Sequence, residues 1–191
     1  MTEPSQETNL HKILIAFLRA LPSPEPLYCL IGGLALGTWG TVRATQDVDV
    51  LMLLDDETRH HLISVLAPHG FVVDSRWAEA NPMLNGVLTR FRHGFWPVDL
   101  LQPRDLHERE TLAQRRLVEL EEMSVWVASP EDLILLKMKA GRDQDFLDAV
   151  NIVTQQRESL QLDYLWSWAD RLGLQGELTY ILKKTSSSTE P

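Results

Sequence analysis

Cysteine is almost absent from this chain: Cys29 is the only one. An intrachain disulfide and a cysteine-based zinc site are therefore both excluded. Cys29 lies within the apolar stretch LYCLI, where a thiol behaves as a small core side chain. Basic residues are also scarce. Eighteen Lys and Arg stand against 27 Asp and Glu, for a formal net charge of −9. Such a chain lacks the clustered cations that a broad phosphate-neutralising surface needs, which argues against nucleic-acid binding of that kind. A nucleotide can still be held through metal ions, because a bound cation inverts the local charge logic. No apolar run reaches the length of a membrane span. The opening MTEPSQET is polar and acidic, unlike a signal peptide. The expected setting is the reducing cytoplasm, with no membrane partner. The six tryptophans, at 39, 77, 96, 126, 166 and 168, share no common spacing and read as packing residues rather than a base-stacking platform.

What is present is a mixed order of helices and strands followed by helices alone, in 191 residues that suit one domain with a helical appendage. Leu10, Ile13, Leu14, Phe17, Leu18 and Leu21 recur at helical spacing, and the prolines of PSPEP stop that helix. Leu27 to Ile31 reads as a short buried strand, Gly32-Gly33 as the turn leaving it, and Leu34 to Val42 as a short helix. A strand over Asp47 to Leu54 and a helix capped by Asp follow. Three strand candidates come next: Phe71 to Ser75, Gly86 to Arg92 and Trp96 to Leu101. Pro103 to Leu117 reads as a charged helix and Val118 to Ala128 as containing one strand. Ser129 caps a helix with Pro130 at its first position. Gly141 divides that helix from the next, and Leu162 to Leu182 is a last helical stretch. The expected organisation is an α/β core over residues 1–128 that includes the N-terminal helix, a helical region over 129–184 packed on it, and a disordered tail over 185–191.

Gly32-Gly33 after a strand is a weak signal by itself. Glycines let a phosphate approach the backbone at a helix start. The dinucleotide fingerprint fails, however, because position 34 is Leu, and no Gly-Lys-Ser/Thr completes a P-loop. The glycines alone fit a tight turn with close helix packing better than a phosphate cradle.

Asp47 and Asp49 add more. Two apart on a strand they share a face, roughly 6.6 Å apart along the backbone. Carboxylates so placed can converge on metal ions about 3.5–4 Å apart. Two like charges this close repel unless a cation lies between them. Leu51 and Leu53 continue the same face as apolar residues, so the aspartates lie at the rim of a buried surface rather than on an exposed edge. Asp99, in the apolar strand WPVDLL, is the third candidate, since adjacent strands lie about 4.8 Å apart. Hard oxygen ligands of this kind suit Mg²⁺ or Mn²⁺ rather than zinc.

Taken together these residues resemble the nucleotidyltransferase superfamily, which includes the DNA polymerase beta-like enzymes. The match is Ile31-Gly32-Gly33, thirteen residues, Asp47-Val48-Asp49, and then Asp99. Arg43-Ala44-Thr45 before the aspartates resembles the small bacterial members, among them toxin-type enzymes of toxin–antitoxin systems. So does Ser129 to Ala149, with Glu131-Asp132-Leu133, Lys137, Arg142, Asp145 and Asp148. The resemblance covers roughly residues 27–150.

It implies an α+β fold, a mixed sheet flanked by helices with a helical C-terminal region, and a Mg²⁺- or Mn²⁺-dependent transfer of a nucleoside monophosphate from NTP to a hydroxyl. Asp47, Asp49 and Asp99 would be catalytic and would hold two ions. Gly32, Gly33, Thr45, Lys137 and Asp145 would bind the nucleotide. The acceptor would be tRNA, a protein or a small molecule, with a cognate partner protein or a second copy as further partners. Gly33 departs from the Ser found after the first glycine in many relatives, so one hydroxyl that could touch a phosphate is missing. The rival reading is a catalytically degenerate binding module or antitoxin, against which the complete acidic set argues. An unrelated nucleotide-binding α/β domain is a third, disfavoured by the missing fingerprint.

Elsewhere the residues read as structural. His60 and His61 suit a helix surface, and His93 lies near the candidate strands without a clear role. Lys139 and the arginines at 104, 109, 115 and 116 read as solvated helix faces, and Asp145 and Asp148 share one helix face at i, i+3.

Overall fold

A computed structural model describes residues 6–40, 42–120 and 123–186. Helix α1 (Gln6–Arg19) precedes β1 (Leu27–Ile31), an apolar strand bounded by proline before and glycine after, with the limits its sequence predicts. Helix α2 (Gly32–Trp39) begins at the glycine pair itself, so Gly32 and Gly33 are its first two residues rather than a separate turn. Strand β2 (Val48–Leu53) leads to α3 (Asp56–Leu66), whose start is capped by the Asp55 side chain accepting from the Thr58 N–H. The Phe71–Ser75 candidate shrinks to β3 (Val72–Val73), because Asp74 caps a helix the sequence reading lacked, α4 (Ser75–Ala80). Strands β4 (Leu88–His93) and β5 (Trp96–Leu101) form a hairpin around Gly94.

The charged helix expected over Pro103 to Leu117 is only α5 (Leu106–Ala113). The chain then turns extended as β6 (Arg116–Leu120), which pairs antiparallel with β7 (Met123–Val127), so two strands stand where one was expected. Four helices follow: α6 (Pro130–Ala140), α7 (Asp143–Gln156), α8 (Leu162–Leu172) and α9 (Gln175–Ser186). Gly141 and Gly173 end α6 and α8 in the left-handed conformation that glycine adopts most easily. The expected single stretch from Leu162 to Leu182 is thus two helices. Residues 185 and 186 of the expected disordered tail belong to α9, and the rest of it lies outside the described residues.

The seven strands form one mixed sheet in the order β3-β4-β5-β2-β1-β7-β6. At its centre β2 runs parallel to β5 and antiparallel to β1. Alternation along β2 sorts its side chains. Val48, Val50 and Met52 enter the main core, where α1 and α2 pack, while Leu51 joins Cys29, Ile31 and Leu112 beneath α5. Burial pushes the Cys29 thiol well above its ordinary pKa, with Asp132 adding to the shift, so a thiolate role is excluded. Helices α6 to α9 pack on one another, and α7 also contacts α2. This is the α+β architecture expected from the sequence. Among the described residues no helix is long and apolar enough to cross a membrane.

One residue anchors the junction between sheet and helical region. The Ser129 hydroxyl accepts from the Asp132 N–H at 3.1 Å and donates to the Asp132 carboxylate at 2.6 Å, both groups being buried. Asp132 also receives the Tyr164 hydroxyl at 2.7 Å. Ser129→Ala removes the cap and leaves a buried carboxylate oxygen short of a donor. The expected loss is about 1–2 kcal/mol of stability, read from the urea midpoint with the slope unchanged.

Candidate active site

The three aspartates come together because of strand register. Asp49 on β2 stands directly beside Asp99 on β5, and Asp47 lies one residue before β2 begins. Asp47, Asp49 and Asp99 each offer a carboxylate oxygen, and these oxygens all lie within 4.8 Å of one another. On the other side β1 sets Ile31 opposite Asp49, so α2 starts at the carboxylates.

The glycine pair is required by this crowding. Gly32 has φ +69°, and a Cβ there would stand 1.9 Å from an Asp49 carboxylate oxygen. A Cβ on Gly33 would stand 2.6 Å from the Thr45 hydroxyl. A serine at position 33 therefore has no room, because Thr45 occupies the space and donates to Asp47 at 3.0 Å. No side chain caps the start of α2, which leaves its first N–H groups without a capping oxygen.

Further charged side chains come from α6, α7 and the segment before β2. The Lys137 ammonium donates to Asp145 at 3.0 Å and pairs with Asp148 at 2.8 Å, all three being buried. Arg43 grips Asp148 through Nε at 3.0 Å and Arg142 pairs with Asp145. Burial alone would raise both carboxyls, but these cations overcome it and hold Asp145 and Asp148 below the ordinary carboxylate range. Asp145 and Asp148, which share one helix face as their spacing predicts, thus belong to a buried ion network. Lys139 is likewise no solvated face: it is bound to Asp105 and Glu108. Arg104 clasps the buried Glu108, while Arg115 lies over Trp126, and Arg116, on β6, pairs with Glu131. His60 and His61 are exposed as expected, and His93 stacks on Phe71 outside the cluster.

Arg90 is the residue that sequence reasoning passed over. Its guanidinium donates from Nε and Nη2 to the two oxygens of Asp99, each at 2.6 Å, and its other face lies 4.6 Å from the centre of the Trp77 ring. A signal existed. If Gly94-Phe95 is a two-residue hairpin turn, 93 pairs with 96 and, counting back, 90 pairs with 99.

These groups line a cleft of about 510 Å³ that holds Gly32, Gly33, Thr45, the three aspartates, Arg90, Lys137 and Arg142. A smaller hollow of about 200 Å³ shares Gly32, Asp49, Lys137 and Arg142 with it, and Ile31, Leu51, Leu101 and Leu136 give it apolar walls. Asp49 is the most perturbed group of the cleft. Burial, then the nearby Asp47 and Asp99, push its carboxyl up to about 7, against the weaker pull of Lys137 and Arg90. An all-oxygen donor set whose middle member resists ionisation fits a divalent cation, which would relieve that resistance.

The sign of the stability effect follows. With its pKa raised in the fold, Asp49 stabilises the cation-free protein fully below pH 3.8 and ceases to do so as pH rises through about 7. Asp49→Asn stays neutral throughout. It should therefore melt with wild type near pH 4 and about 2–6 °C above it near pH 8 without divalent ions, Mg²⁺ narrowing the gap. A wild type more stable than the variant at pH 8 without cations would contradict the assignment.

No family model matches the chain, and neither does any curated protein. Solved structures do. The antibiotic-resistance factor ANT(2'')-Ia aligns over 91% of this chain and 98% of its own, with 12% identity and a TM-score of 0.59. An antigenic nucleotidyltransferase-like protein from Paracoccidioides brasiliensis covers 93% of this chain and 92% of its own at 17% identity and a TM-score of 0.57. The lincosamide antibiotic adenylyltransferase LnuA, solved with lincomycin bound, covers 80% and 98% at 13% identity and a TM-score of 0.51. Sequence identity this low speaks to architecture alone. On that architecture, a mixed sheet with helices packed on it, the chain shares its fold with these solved nucleotidyltransferase and adenylyltransferase structures.

Proposed function

We propose that the chain transfers a nucleoside monophosphate from an NTP to a hydroxyl acceptor at the cleft above, with two Mg²⁺ or Mn²⁺ ions as cofactors. The observation that carries this reading is the meeting of Asp47, Asp49 and Asp99 beside the uncapped start of α2. Asp47 and Asp49 would hold both ions and Asp99 one of them. When bound, such a pair stabilises charge on the attacking and leaving oxygens of an in-line displacement. The backbone N–H groups at Gly32 and Gly33 receive phosphate oxygens, since a helix start favours anions. Thr45 sets the position of Asp47 and supplies a hydroxyl at the place where Gly33 has none.

Lys137 and Asp145 stand at the inner wall of the cleft. Lys137 adds positive charge near the phosphates, and its two carboxylate partners hold it in place. Asp99 accepts the proton of the attacking hydroxyl, which requires that hydroxyl to approach from the β4–β5 side. The apolar-walled hollow next to Asp49 offers a surface for the flat, less polar part of a bound substrate.

A small-molecule hydroxyl compound is the acceptor class we favour, since LnuA was solved with lincomycin bound and this chain shares its fold. A toxin-type role, with a cognate partner protein, calls instead for a macromolecular acceptor such as tRNA or protein. The degenerate-module reading calls for no transfer at all. One experiment separates these. Purified protein is incubated with Mg²⁺, α-³²P-labelled NTPs and, in turn, tRNA, total protein and a panel of aminoglycoside and lincosamide hydroxyl compounds. Wild type is expected to label one class, and Asp49→Ala to lose at least about a thousandfold of that rate. Equal labelling by a folded Asp49→Ala protein, or no labelling of any class with wild type, would refute the reading.

A further inference from the structure

Among the described residues Asp99 is the only member of the acidic set with a guanidinium on it, and the attachment is complete: each of its oxygens receives one N–H of Arg90 at 2.6 Å. The Asp99 side chain is 6% exposed and that of Arg90 is 23% exposed. Arg90 is held in the pose from two sides. Its strand register sets it opposite Asp99, and the Trp77 ring, carried by α4, lies against the guanidinium at 4.6 Å. Arg90 also lines the same cleft as Gly32 and Gly33, where phosphates are expected.

A carboxylate in this state is a poor ligand and a poor base. A divalent cation drawing on Asp99 must share its oxygens with a fixed positive charge, and the two charge-assisted hydrogen bonds make the carboxylate a weaker acceptor for a hydroxyl proton. The planar fork of arginine matches a phosphate as well as it matches a carboxylate.

We propose that Arg90 is a positioning residue that closes Asp99 in the resting protein and transfers its fork to a phosphate of the incoming nucleotide, freeing Asp99 for the cation and the acceptor hydroxyl. Arg90 thus takes the place of a cation while none is bound, and nucleotide binding and cation binding help each other through it. Such help is reciprocal by linkage: whatever draws Arg90 off Asp99 strengthens cation binding. The inference rests on the two-cation reading of the site.

The test is calorimetric titration of Mn²⁺ into nucleotide-free full-length protein, with Asp49→Asn used to subtract binding by the acidic surface at large. Arg90→Gln is expected to bind Mn²⁺ about tenfold more tightly than wild type, the competing hydrogen bonds being gone. Arg90→Lys keeps the charge and loses the fork, and is expected to fall between the two. Equal affinities in folded wild type, Arg90→Gln and Arg90→Lys overturn the proposal and leave the two-cation site standing. Tightening in Arg90→Gln with Arg90→Lys identical to wild type also overturns it, since only net charge would then matter. No Mn²⁺ binding by wild type sinks the site and the proposal together. Should Arg90→Gln not fold, Arg90→Lys decides alone: tighter than wild type supports the exchange, equal overturns it.

Discussion

Mutual repulsion among three carboxylates is the constraint from which most of this structure's local features follow. Asp47, Asp49 and Asp99 bring oxygens within 4.8 Å of one another at the end of a buried sheet. Like charges this near repel one another unless cations lie close by. The protein answers in three ways. The Asp49 carboxyl is pushed up to about 7. Arg90 neutralises Asp99 directly, and Lys137 lowers the cost from a distance while it is itself fixed by Asp145 and Asp148. The remaining strain is what a divalent cation would remove. A site whose geometry is costly when empty is one whose geometry is kept for what it binds.

The same crowding explains the backbone. The helix after β1 starts on two glycines because Asp49 and Thr45 fill the volume where side chains would go. That leaves the first N–H groups of α2 without a side-chain cap, at the helix end that adjoins the acidic cluster. A helix start favours negative charge. Here a region of positive potential and a region of concentrated negative charge are set side by side, an arrangement that suits a phosphate chain bridged to carboxylates by cations. The buried network beneath, in which Lys137 serves two aspartates that each also hold an arginine, is expensive to desolvate and is tolerable only because every member is paired.

Much of the sheet was legible in the sequence because its central strands are short apolar runs with clear punctuation. Leu27–Ile31 and Trp96–Leu101 have the limits read from sequence, one bounded by Pro26 and Gly32, the other by Gly94 and Pro103. The β6–β7 pair was merged into one strand because the sequence LEEM between them carries no glycine, proline or asparagine to mark a turn. Helix α4 was missed because SRWAEA is too short to show a period. The acidic set was legible from the spacing of Asp47 and Asp49, while the third aspartate needed strand adjacency, which only the fold supplies. Lys139 was misjudged because the acids that bind it, Asp105 and Glu108, come from another part of the chain, and no local pattern records that. Arg90 is different, since counting back along the hairpin from Gly94 would have set it opposite Asp99.

The most direct test of the central claim is a crystal structure with Mn²⁺ and a non-hydrolysable NTP, read by anomalous scattering. The account predicts two peaks between Asp47, Asp49 and Asp99, each within about 2.0–2.2 Å of carboxylate oxygens, with phosphate density at the start of α2. Nucleotide bound elsewhere, or Mn²⁺ that leaves the three aspartates untouched, would contradict it.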